Sequence, residues 1–167
     1  MTEIDFNKLP LEQRVSMLLD NADVPFNACF NGADLKGVDL SGRTLIMDVE
    51  MMNVDLSGAN FSGSKIRGID LRSSNILEAN FRDCDFSGCN LSGAVLEKAD
   101  FTGAMGIGSL FKGSNLRNAV FVGANLSAVH FSGADIFGAD FTNAVLEGLR
   151  GSDEVINFEH AIGWIEK

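Results

Sequence analysis

The sequence predicts an all-β solenoid, a chain that turns by a fixed amount every five residues and stacks its coils on one another. Three observations predict it. A large apolar residue returns at every fifth position through most of the chain, the position two before it is small in 18 of 24 repeats, and Asp or Asn precedes it in 14 of 24. A period of five fits neither the 3.6 residues of an α-helix nor the two of a flat strand, so a chain obeying it must coil. Asp, Asn and Gly at fixed offsets supply the corners, and the large residue plugs the interior.

Taking the large residue as a centre, the centres are Phe30, Leu35, Leu40 and Leu45 and then, after one extra residue, Met51 and every fifth residue to Leu146, which is 4 plus 20, or 24. Ten are Leu, nine Phe, three Ile and one Met, and the remaining one is Gly106. The unit Ala-(Asp/Asn)-(Leu/Phe)-X-Gly, seen in GADLKGVDLSG and GANLSAVHFSGADIFGADFTNAVLEG, resembles the pentapeptide-repeat family over residues 28–148. The resemblance implies a right-handed, four-sided (quadrilateral) parallel β-helix with four repeats per coil, hence about six coils. Residues 20 apart should then lie above one another, and the sequence agrees. One face reads Leu40, Phe61, Phe81, Phe101, Phe121 and Phe141, the expected core ladder, and its neighbour reads Leu35, Leu56, Ile76, Leu96, Leu116 and Ile136. The third runs Leu45, Ile66, Phe86, Gly106, Leu126 and Leu146, and the fourth Phe30, Met51, Leu71, Leu91, Phe111 and Phe131.

Solenoid ends need covering. Within the N-terminal segment, residues 1–27, Pro10 followed by Leu11, Val15, Leu18 and Leu19 on one stripe predicts a capping helix over about residues 10–21. In residues 149–167, Ser152 as N-cap, Asp153 and Glu154 in the first turn, and Val155, Phe158, Ile162 and Ile165 along one side predict a second short α-helical cap. Gly163 weakens that helix, and Trp164, the only Trp, falls off its stripe. This lid either only covers the last coil or also dimerises, with Ile162, Trp164 and Ile165 as the candidate contacts. Two interruptions stand out. One residue among positions 46–50 must bulge, near an inward-placed Arg43 whose nearest candidate partner is Asp48, and Gly106 leaves a centre empty between Met105 and Ile107. There either an apolar neighbour swings inward or a loop forms.

Thirteen Lys+Arg against 23 Asp+Glu give a net charge of −10, which disfavours direct binding of nucleic acid or an anionic membrane surface. The first residues lack a basic segment leading into an apolar core, and no apolar run approaches the roughly 20 residues that span a bilayer, so a cytoplasmic protein is expected. Three cysteines fit a reducing compartment. Catalysis needs groups converging on a concave place, which a filled prism does not offer, so no enzyme, no cofactor and no metal site is expected. His130 and His160 read as surface groups, Cys84 and Cys89 as small inward hydrophobes, and Cys29 as an inert thiol. GIGSLFKGS is not a phosphate loop, the Asn-X-Ser triplets are corners, and Asp83 with Asp85 lacks the rest of a calcium loop.

Two functional readings remain. In the first the chain is a non-catalytic protein-binding scaffold with an unknown protein partner, read through outward apolar groups: Leu77, Val95 and Phe137, Val120 and Val122, and Ile46, Met47 and Met52. The alternative is carried by the resemblance, which implies that some bacterial members are acidic dimeric DNA mimics that bind type II topoisomerases such as DNA gyrase or topoisomerase IV and protect them from inhibitors. Under it Asp34, Asp39, Asp55, Asp100, Asp135 and Asp140 form the acidic interaction face and the chain pairs through its C-terminus as a homodimer.

Overall fold

The computed structural model describes residues 6–19, 28–45 and 49–164. Single-residue parallel bridges join successive coils, and the residue before each centre is the rung. One ladder runs Asp34, Asp55, Asn75, Val95, Asn115, Asp135, Ile156, and another Asp39, Asn60, Asn80, Asp100, Val120, Asp140, Ile162. Two more pass through Glu50, Asp70 and Asn90 and through Lys65, Asp85 and Met105, so a coil has four sides. Rungs are 21 residues apart from Cys29 to Glu50 and 20 apart from Glu50 to Asp70. The one extra residue therefore lies between Leu45 and Val49, both buried, within positions 46–48 and outside the described residues, as does Asp48.

The repeat makes its own hydrogen bonds. Phe81 N–H donates to the Asp100 carbonyl at 2.7 Å, and Asp100 N–H donates back to the Ala79 carbonyl at 3.0 Å, so each side is tied to the next coil through the rung and the centre. Corners close through bonds such as Ala104 N–H to the Phe101 carbonyl at 3.0 Å. Each corner needs a left-handed residue two after the centre, which is why Gly recurs there; Gly103, with φ 68°, is typical.

Inside, the aromatic ladder is a continuous stack. Phe61, Phe81, Phe101 and Phe121 follow at ring-centroid spacings of 4.7 Å, with Phe141 at 4.9 Å, and interplanar angles of 6° to 15°. The register of one coil per ring places the phenylalanines at this spacing, the offset-stacking range of aromatic pairs. A second stack, Phe111 over Phe131 at 5.3 Å, meets the first edge-on, with Phe111 to Phe121 at 5.9 Å and 87°. The small inward position lets the four sides come this close. Its serines are satisfied: Ser64, Ser74, Ser109 and Ser114 each donate to a main-chain carbonyl at 2.7 to 2.8 Å.

Gly106 leaves no hole and forms no loop. Phe86, one coil before it on the same face, is 0% exposed, and a Cβ on Gly106 would come within 3.0 Å of its ring. One large plug serves two levels. Neither Met105 nor Ile107 turns inward, at 42% and 41% exposed.

At the N-terminal end α1 spans Leu11–Leu19, with the Pro10 carbonyl accepting from Gln13 and Arg14 N–H. Leu11 and Val15 pack on the core and Leu18 is fully buried. Arg43 pairs with this helix: its Nη2 donates to the Leu18 carbonyl at 3.0 Å, at the negative end of the helix dipole. Arg14 Nη1 reaches the Cys29 carbonyl, a second tie between helix and first coil.

The α-helix expected over residues 149–167 is not formed in the described part. Residues 149–164 instead continue the stack in steps of six. Arg150 pairs with His130, Ile156 with Asp135 and Ile162 with Asp140. A left-handed residue follows each, Gly151, Asn157 and Gly163 at φ 64°, 59° and 69°, and two 3-10 turns occur, Ser152–Glu154 and Phe158–His160. A left-handed residue every sixth position is incompatible with an α-helix, which is the physical reason for the difference. Leu149, Val155 and Ala161 supply the inward positions of these hexads.

Candidate interaction surfaces

Every Asp or Asn that precedes a centre does the same local work. Its side-chain oxygen accepts the N–H two residues on, as in Asp39 to Ser41 at 3.0 Å, Asp100 to Thr102 at 2.9 Å and Asp140 to Thr142 at 2.9 Å. The bond closes an Asx turn at the corner. Asp34, Asp55 and Asp135 follow the same pattern with Lys36, Ser57 and Phe137. The six candidate acidic residues are thus turn residues first, each with one oxygen committed.

Half of them are also neutralised across coils. Lys36 Nζ lies 3.2 Å from Asp55, Arg82 Nη1 2.9 Å from Asp100, and Arg117 Nη1 2.9 Å from Asp135. Arg67 meets Asp85 in the same way on the third face. The three arginine pairs share one spacing, with the acid 18 residues after the base. That separation places the residue after one centre beside the rung of the next coil. Asp34, Asp39 and Asp140 form no ion pair among the described residues, although Asp39 accepts from the Asn60 amide at 3.1 Å.

These bonds hold the carboxyls ionised. For Asp55, burial pushes the pKa up but is outweighed by the Ser57 hydroxyl and N–H, Lys36 and the Asn75 amide, which bring it down to about 2. Burial likewise opposes, and hydrogen bonds from Thr102 and Arg82 overcome, the shift at Asp100, which lies below the usual carboxylate range. Asp135 is lowered too, against burial, by Asn157, the Phe137 N–H and Arg117.

On the aliphatic face Phe137 is not free. The Arg117 guanidinium carbon sits 4.4 Å from its ring centroid and the His160 ring 4.6 Å away on centroids, so both pack against the phenyl. Among the described residues the exposed large apolar groups are Val95, Met105, Ile107, Val145, Ile156 and Ile162. Only Val95 belongs to the expected outward set, where Leu77, Val120, Val122 and Met52 are half-buried and Ile46 and Met47 lie outside the described residues. Met105 is a rung and Ile107 follows a centre, so the five-residue register already places both outward; what Phe86 explains is why neither turns in at Gly106.

Of the candidate dimer contacts, Ile162 is 56% exposed on the side of the Phe face, Trp164 is half-buried, and Ile165 lies outside the described residues. Trp164 stands over the ends of both aromatic stacks, 5.0 Å from Phe141 and 5.5 Å from Phe131, and so finishes the core rather than projecting from it.

Burial pushes the Cys84 and Cys89 thiols up to about 12, which leaves them unreactive at neutral pH. His130 accepts the Ser132 N–H at Nδ1, and its pKa is lowered by burial and by Lys112 and Arg150. Among the described residues no group of three His, Cys, Asp or Glu could hold a metal ion, and no helix is long and apolar enough to cross a membrane.

Comparison with known proteins places this geometry. The family description "Pentapeptide repeats (8 copies)" fits residues 49–72 and 55–93, and "Pentapeptide repeat region" fits residues 79–150. None of the curated proteins matches the sequence. Similar solved structures include the pentapeptide repeat protein Rfr23 of the cyanobacterium Cyanothece 51142, 22% identical over 80% of this chain and 90% of that one, with a TM-score of 0.33. HetL of Nostoc, involved in heterocyst differentiation regulation, is 18% identical over 92% and 99%, at 0.31. A trypsin-treated form of QnrB1, a plasmid-mediated fluoroquinolone resistance protein, is 23% identical over 93% and 88%, at 0.37. With the family description covering 49–150 and the rungs of that stretch 20 residues apart, the chain belongs to the pentapeptide-repeat family, whose members are right-handed quadrilateral β-helices.

Proposed function

We propose that the chain is a non-catalytic protein-binding module of the cytoplasm whose side faces are its recognition surface. One observation carries this reading: the interior is occupied by packed side chains coil after coil, with Phe61 through Phe141 all at most 1% exposed. Groups able to meet another molecule therefore lie on the flat sides and at the ends. On the third face Met105 and Ile107 form an exposed apolar pair, and Val95 adds a third such group on the aliphatic face. Flat, rigid surfaces with scattered apolar groups suit a protein partner, because no loop has to be ordered on binding. The test is affinity capture with the wild-type chain and with Val95→Glu/Met105→Glu. Loss of a partner from the variant, with an unchanged melting temperature, supports the reading; identical capture by both proteins refutes it.

A second reading, acidic mimicry of DNA on a type II topoisomerase such as gyrase, keeps Asp34, Asp39 and Asp140 in its favour, since these carry no ion pair among the described residues. Against it, Asp55, Asp100 and Asp135 are matched by Lys36, Arg82 and Arg117. Gyrase supercoiling with and without an inhibitor, in the presence of wild-type protein and of Asp39→Lys/Asp140→Lys, separates the two. A protective effect abolished by that reversal favours mimicry, and no effect of either protein at low salt removes it. Any homodimer would use Ile162 from the side, and sedimentation of Ile162→Glu beside the wild type tests that contact.

A further inference from the structure

The three hexads that end the stack cover three of its four sides. On the fourth face Arg150 N–H bonds the Val129 carbonyl, and Phe131 N–H bonds the Arg150 carbonyl. Ile156 and Ile162 do the same for the aliphatic and Phe faces, through Ala134 and Ile136 and through Ala139 and Phe141. On the third face the equivalent groups of residues 144–148 have no partner among the described residues. One coil earlier, Leu126 N–H bonds the Val145 carbonyl at 2.9 Å, Ala128 N–H the Glu147 carbonyl at 2.7 Å, and the Ala124 carbonyl accepts from Val145 at 2.9 Å. The corresponding Leu146 N–H, Gly148 N–H and Ala144 carbonyl form no such bonds among the described residues. Beside this edge lies an apolar groove of about 420 Å³ floored by Ala144, Leu146 and Leu149, all half-buried, with Glu147 its one charged lining residue.

We infer that this open edge is a docking site for an extended segment of a partner protein, which adds as the fourth hexad of the last course. The chain itself shows what fits. Leu149-Arg150-Gly151, Val155-Ile156-Asn157 and Ala161-Ile162-Gly163 each present an inward apolar residue, a rung whose N–H and carbonyl both bond the coil below, and a left-handed residue. A segment of the pattern apolar–X–Gly would donate its rung N–H to the Ala144 carbonyl and accept from Leu146. Its inward side chain would rest on Leu146, and a Lys nearby would meet Glu147. Main-chain bonds supply the affinity and the inward pocket the selectivity, as in other strand additions. The inference extends the protein-binding reading to the end of the stack and depends on it only for the class of ligand.

The probe is the peptide acetyl-KVIGFK-amide added to the isotopically labelled full chain and followed by amide NMR. Binding should move signals of residues 144–149 alone and slow exchange of the Leu146 and Gly148 amides, which in the free chain should exchange faster than those of Leu126 and Ala128. Replacing Ile by N-methyl-Ile, which deletes the N–H meant for Ala144, should weaken binding about tenfold, and Val→Asp in the peptide should abolish it. No shift at millimolar peptide, or shifts mainly on other faces, overturns the inference. So does slow exchange of Leu146 and Gly148 without peptide. Sedimentation would then show whether a second copy covers the edge, which a dimer would indicate. None of these outcomes bears on the capture experiment with Val95 and Met105, which tests the side faces separately.

Discussion

Phe86 fills the space of the side chain that Gly106 lacks. Every other glycine of the chain has positive φ; Gly106 alone does not, so it is selected for volume and not for backbone freedom. Gly106→Leu, which makes the repeat regular, is therefore expected to destabilise the chain by about 1–3 kcal/mol, as overpacking does. Adding Phe86→Leu should recover most of that loss, because the two positions share one space and their effects cannot be additive. Urea denaturation of the two single variants and the double variant measures the coupling.

The Phe101 ring lies between Phe81 and Phe121 at 4.7 Å on both sides and is 0% exposed. Phe101→Ala should cost about 3–5 kcal/mol. Val122→Ala, at a half-buried position outside the ladder, should cost far less. Equal shifts of the thermal midpoint would mean that the aromatic stack is not the mechanical centre of the coil.

The regular part of this architecture is legible because each side chain has one job per repeat. The centre Leu96, the small Ala99 and the corner residue Asp100 can be assigned from a five-residue count alone. The last course is not legible in the same way, for a specific reason. Val155, Phe158, Ile162 and Ile165 fall at helical spacing by coincidence, and they mask the six-residue recurrence of Leu149, Val155 and Ala161 together with that of Gly151, Asn157 and Gly163. The second recurrence decides the matter, since left-handed corners exclude a helix. The coil-to-coil ion pairs on the acidic residues are less legible, because they depend on the register between coils and not on the five-residue count. Searching for an Arg 18 residues before an Asp would have found Arg67, Arg82 and Arg117 beside Asp85, Asp100 and Asp135.

The corner aspartates predict the acid response. The folded pKa values of Asp39, Asp55, Asp70, Asp85, Asp100 and Asp135 all lie below their ordinary values, with Asp55 at about 2. A lowered folded pKa contributes stability that is complete above the unfolded value of about 3.9 and is lost as pH falls through the folded one. The urea midpoint should thus be flat between pH 5 and 7 with respect to these groups and fall between about pH 4 and 2. Asn closes the same corner at Asn60 and Asn80. Asp55→Asn should therefore keep the corner closed but lose the contribution of the ionised carboxylate, lowering the midpoint at neutral pH and making the acid decline shallower. An unchanged decline would show that Asp55 does not contribute to it.

Trp164 and Ile162 are two residues apart and should behave oppositely. Trp164 covers the ends of both aromatic stacks, touching Phe131 edge-on at 87° and Phe141 at 59°, whereas Ile162 is 56% exposed. Removing the indole uncovers two phenyl rings that have no further phenylalanine of their stacks above them among the described residues, so Trp164→Ala should cost about 1–3 kcal/mol and speed amide exchange at Phe131 and Phe141. Trp164→Phe should keep most of the stability. Its indole Nε1 is buried without a hydrogen-bond partner, so replacing indole by phenyl removes contact area and also an unsatisfied donor. Ile162→Ala should stay within about 0.5 kcal/mol of the wild type. Because Trp164 is the only tryptophan, its emission reports this end directly, and it should shift to longer wavelength before the rest of the stack unfolds if the last course is the weakest coil. Simultaneous loss of Trp164 emission and of the far-ultraviolet circular dichroism signal would instead show that the hexad course and the pentad coils unfold as one unit.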